Sequence, residues 1–146
     1  MATLAYRGAK AVRETPAEFA AFRAAPCTRT PVEILAHMGD LMDWALSMVE
    51  GRQVWRDAVP LPWDEEVTRF FRALEALDKR LASAPSEAPE ERLFQGPVAD
   101  ALTPVGQIAM LRNMAGAPMR GENYFVAKIQ MGPVGLQQAP PRRESE

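Results

Sequence analysis

Thr30-Pro31-Val32-Glu33-Ile34-Leu35-Ala36-His37-Met38-Gly39-Asp40-Leu41-Met42-Asp43-Trp44-Ala45-Leu46-Ser47-Met48-Val49-Glu50-Gly51 is the longest clearly helical pattern in this chain. Ile34, Leu35, Met38, Leu41, Met42, Ala45, Leu46, Met48 and Val49 recur at helical spacing and wrap about half of one cylinder. Thr30 can accept from a free N–H of the first turn, Pro31 suits the first helical position, and Glu33 completes a capping box. Gly51 supplies the stop. These signals predict a helix over about 31–50. His37, the only histidine of the chain, lies with Trp44 at the edge of the apolar arc.

Outward from this helix, Thr15-Pro16-Ala17-Glu18 repeats the same grammar and predicts a short helix over about 16–24. Arg52 to Trp63 reads as a connection with two prolines and two tryptophans. Val67, Phe70, Phe71, Leu74, Leu77 and Leu81 predict a third helix over about 64–83. Asp64, Glu65 and Glu66 suit its N-terminal dipole, and Lys79 and Arg80 its C-terminal one. Ala84 to Glu91 is a connector, and a fourth helix is expected over about 97–115, bent around Pro104 because proline lacks the N–H that would bond Asp100. Gly121 to Met131 is read as a shorter helix or an ordered extension, and 137–146 as a disordered tail. No strand is expected. The class is all-α, in one domain with its bundle over about 16–131, and a four-helix bundle lets each apolar face find a partner.

Composition narrows the function classes. Among 146 residues the net charge is −2, which gives no bulk attraction to nucleic acid or an anionic membrane. No apolar run is long enough to span a bilayer, and the first residues lack a signal pattern. Cys27 is alone, which suits a reducing cytoplasm, and is read as a small loop residue. Arg112, Arg120 and Arg142-Arg143 are scattered along the chain and mark no phosphate site. Met38/Met42 and Met110/Met114 read as core pairs.

Two polar lines mark helix margins. Glu33, His37, Asp40, Trp44 and Ser47 form one; Asp100, Pro104, Gln107 and Leu111 form the other. They can meet as an internal polar pocket, or simply bound the core.

The run Thr30 to Asp40, followed by Asp100-Ala101-Leu102-Thr103-Pro104-Val105-Gly106-Gln107, resembles the DinB-like superfamily of bacterial helical bundles. That resemblance implies an up-down four-helix bundle with a short N-terminal helix and a C-terminal extension. It also implies a divalent metal, zinc or nickel, on a histidine of the early helix and a pair four residues apart on the late one. His37 matches the first position, and Gly106-Gln107 sets a register that places Asp100 and Pro104 at the pair. Asp100 can be a ligand and Pro104 cannot. The implied site is therefore His37 and Asp100, completed by water or Glu122, with Gln107 orienting a group and Asp40, Trp44, Asn123 and Tyr124 nearby. The implied activity is a metal-dependent transferase or hydrolase acting on a small molecule, thiol-cofactor-dependent in some relatives, and a homodimer is implied as a possible assembly. The alternative is a non-catalytic bundle that has lost the metal and binds a small apolar ligand or a protein partner.

Overall fold

The computed structural model describes residues 1–145. Helix α1 covers Ala2–Val12, α2 Pro31–Val49, α3 Trp63–Ser83, the single turn α4 Glu90–Leu93, and α5 Ala99–Met114. Helix α2 begins as its sequence dictates. The Glu33 N–H donates to Thr30 Oγ1, the Thr30 N–H donates to Glu33 Oε2 at 2.6 Å, and Pro31 opens the first turn. Gly51 ends it with φ of +77°, a conformation that favours a residue without Cβ.

Helices α2 and α3 form the most extensive pair, and α5 packs on both α1 and α2. Leu35, Met38, Leu41, Met42 and Ala45 of α2 meet Phe70, Phe71, Leu74 and Leu77 of α3 in one core, with Leu4, Ala5 and Ala9 of α1 and Val105 and Ile108 of α5. The all-α class holds, and no described helix is long and apolar enough to cross a membrane.

Several elements differ from expectation. The first helix is α1, from Ala2, so the helical body starts well before residue 16. Its small residues explain the close packing: a Cβ on Gly8 would lie 3.2 Å from the Phe70 ring. The expected 16–24 helix is instead a 3₁₀ turn, Ala17–Ala21, whose Phe19 is buried against Trp63 at 5.6 Å between ring centroids. The late helix α5 runs through Pro104, and a further kink lies ahead of it at Gly96, whose ψ of −106° is non-helical. Glycine relieves the joint there at no steric cost.

Gly121 to Met131 is not helical. Gly121–Glu122 pairs antiparallel with Glu144–Ser145 as a two-residue ladder, β1 and β2. The segment read as a tail thus returns to the body, Glu144 reaching Lys10 and the Arg13 guanidinium donating to the Gln138 carbonyl. Glu146 lies outside the described residues. Met110 and Met114 are exposed, whereas Met38 and Met42 are fully buried.

Candidate ligand-binding cleft

The polar margin of α2 organises the connection that follows it. His37, Asp40, Trp44 and Ser47 share one helix face by their spacing. Three backbone N–H groups of the segment 52–62 donate to side chains of the helices. Val54 donates to Ser47 Oγ at 2.9 Å, Ala58 to Asp40 Oδ2 at 3.2 Å, and Leu61 to Glu66 Oε1 at 2.9 Å. Trp55 consequently stands edge-on to both His37 and Trp44, with centroid distances of 5.8 and 5.7 Å. Beside the two tryptophans lies a cleft of about 540 Å³, lined by Asp43, Trp44, Arg52, Arg56, Asp57 and Arg69 among others.

Arg69 of α3 forms the floor. Its Nε donates to Glu66 Oε2 at 2.8 Å, Nη1 to Asp40 Oδ1 at 3.0 Å and Asp43 Oδ2 at 3.3 Å, and Nη2 to the Ala36 carbonyl at 2.6 Å. Glu66 is fully buried and Asp40 nearly so, and the guanidinium supplies their counter-charge. Burial opposes the charge on Arg69, but its bonds to Glu66 and Asp40 outweigh it and raise its pKa. Asp43 behaves otherwise: burial raises its pKa more than the Arg69 charge lowers it.

The residues of the implied metal site are distributed as follows. His37 Nε2 and Asp100 Oδ2 lie 4.0 Å apart, beyond hydrogen-bonding distance. The pair lies at the surface, since the Asp100 side chain is 55% exposed, and not in an internal cavity. Pro104 is buried without a donor, and Gln107 is exposed. Glu122 is engaged by α1. It accepts from Tyr6 Oη at 2.7 Å and Lys10 Nζ at 3.0 Å, and from the Arg142 N–H at 2.9 Å. Tyr124 stands edge-on to Tyr6 and under the Arg7 guanidinium, and Asn123 accepts from the Phe125 N–H.

This donor set does not fit the metal. A catalytic zinc needs three protein ligands and a structural one four. Among the described residues no three His, Cys, Asp or Glu side chains converge as such a set. The carboxylates lining the small recess beside His37 are already committed: Glu33 to the Thr30 cap, Asp40 to Arg69 and the Ala58 N–H, and Asp57 to the Trp55 indole.

Sequence reasoning missed Arg69, and it placed Glu66 only as a dipole partner. A signal was present. Glu66 lies on the same face of α3 as Phe70 and Leu77, so a carboxylate stands in the apolar stripe, with Arg69 one turn further on as its natural counter-ion. No protein-family model, curated protein or solved structure matches this chain.

Proposed function

We propose that this protein is a non-catalytic helical bundle that binds a small, largely apolar ligand in the cleft between α2 and the 52–62 segment. In this reading it is a DinB-like bundle whose metal site has been lost. The observation that carries it is Trp44, held edge to face by Trp55 and lining an open cleft of about 540 Å³. A pocket of this size, with Trp44, Leu46 and Val54 in its walls beside charged groups, suits a small organic molecule. Arg56, which lines the cleft and has no carboxylate within ion-pairing distance among the described residues, favours a ligand with an anionic end.

Anilinonaphthalene sulfonate has that shape and is the probe of choice. The expected result is one saturable site with energy transfer from tryptophan, weakened at least tenfold in Trp44→Ala while helicity is unchanged. Unsaturable binding, or equal affinity in the variant, would contradict the reading.

A second reading, a metal-dependent transferase or hydrolase using a thiol cofactor, draws support from the approach of His37 and Asp100. Those two donors fall one short of a catalytic set, so titration with zinc and nickel separates the two readings.

A further inference from the structure

A different pocket, of about 340 Å³, opens where α1 and α5 end side by side. Lys10, Arg13, Arg112 and Arg120 line it, with Glu14 and Glu144 the only carboxylates among its lining residues. Ala11 and Arg112 are 101 positions apart in sequence, so only folding gathers these cations.

Their pairing is uneven. Lys10 is neutralised by Glu122 and Glu144, at 3.0 and 2.8 Å. Arg112 is 7% exposed, yet it donates only to neutral carbonyls: Nη1 to Ala11 and Arg13 at 3.2 and 2.8 Å, and Nε to Ala117 at 2.9 Å. Among the described residues, Arg13, Arg112 and Arg120 have no carboxylate within ion-pairing distance. The carbonyl bonds explain why Arg112 is there, since it caps the end of α1. They leave its charge in a buried position with no contacting carboxylate, Glu14 acting on it only from a distance that does not offset burial, and an anion would relieve it. The cap does not need Arg120, which makes no hydrogen bond among those found and faces the same pocket.

We propose that this pocket binds a small oxyanion, the phosphate group of free phosphate or of a phosphomonoester. Arg13 and Arg120 supply the charge-assisted donors, and Arg112 supplies a fixed positive field behind them. Guanidinium groups suit this because their paired N–H donors match two oxygens of one phosphate. The site is separate from the tryptophan cleft and does not depend on what that cleft binds.

The test is calorimetric titration of the full chain with inorganic phosphate and with phenyl phosphate, alongside thermal unfolding in phosphate and in chloride at matched ionic strength. One saturable site for either probe is expected, with a phosphate-specific rise in Tm. Tighter binding of phosphate assigns the free ion, and tighter binding of phenyl phosphate assigns the ester. Arg120→Gln should weaken binding at least tenfold and leave Tm in chloride unchanged. No saturable binding of either probe, undiminished affinity in Arg120→Gln, or an equal Tm rise in chloride would overturn the proposal, the last because it would report screening alone.

Discussion

The Arg69 guanidinium fills the space that a Cβ on Gly39 would occupy, its Cζ lying 2.7 Å from that position. The absent side chain on α2 is what lets Arg69 cross from α3 to reach Asp40 and the Ala36 carbonyl. Gly39→Ala therefore sets two effects against each other. Helix propensity favours alanine by about 1 kcal/mol, but displacing the guanidinium from buried carboxylates costs about 3 kcal/mol or more. Gly39→Ala is expected to destabilise the protein, and to stabilise it by about 1 kcal/mol in an Arg69→Ala background. Urea unfolding of the four chains checks this; the same sign in both backgrounds would refute the steric account.

Removing Arg69 alone leaves Glu66 buried without its counter-charge and frees the floor of the cleft. Arg69→Met should cost about 3–5 kcal/mol, and Arg69→Met with Glu66→Leu should recover much of that loss. Denaturant midpoints measure it, and a double variant no more stable than the single one would count against the pairing.

Glu122 ties the 121–145 segment to α1. Burial favours its neutral form, but hydrogen bonds from Tyr6, the Arg142 N–H and Lys10 prevail, so its pKa is lowered. A lowered carboxylate pKa contributes stability above the unfolded value of about 4.3, and that stability is lost as pH falls through the folded value. Lys10 has the opposite sign at the other end: burial lowers its pKa, but Glu144 and Glu122 raise it on balance, so its contribution persists below the unfolded value of about 10.4 and is lost as pH rises through the folded one. Amide protection across 121–145, relative to intrinsic exchange at the same pH, should therefore fall below about pH 4, and Glu122→Gln should remove that acid dependence. Protection independent of acid in the unaltered chain would contradict the assignment.

Pro104 lies inside α5, where its ring deprives the Asp100 carbonyl of a partner. An interior proline costs about 3 kcal/mol, and the methylenes lost on truncation are worth about 1.6 kcal/mol at 0.8 each. Pro104→Ala is expected to raise stability by about 1 kcal/mol, read as an increase in Tm. A clear drop would mean that the packing of the ring outweighs the missing bond.

The readable parts of this fold were those with local grammar. Thr30-Pro31-Val32-Glu33 and the period of Ile34 to Val49 placed α2 within a residue or two, and Val67 to Leu77 placed α3, because apolar spacing and caps are local properties. Helix α1 escaped notice because no capping side chain marks its start, although Gly8 lies close enough to Phe70 to require a small residue there. The kink at Gly96 was not read, because glycine makes a break easy without a local pattern that demands one. Of the candidate site, the nearness of His37 and Asp100 and the role of Asp40 and Trp44 lay on the helix margins. The Glu66–Arg69 pair is one turn apart and was legible in the spacing, whereas the commitment of Glu122 to Tyr6 and Lys10, and of Arg69 to Asp40, depends on long-range pairing that spacing does not encode.

The central claim is that this bundle binds an organic ligand without a metal, and calorimetric titration of the unaltered chain with zinc and with nickel tests it most directly. His37 and Asp100 give two protein donors where a catalytic zinc needs three, so the account predicts weak or undetectable binding, unchanged by His37→Ala. Tight stoichiometric binding that disappears in His37→Ala would contradict it.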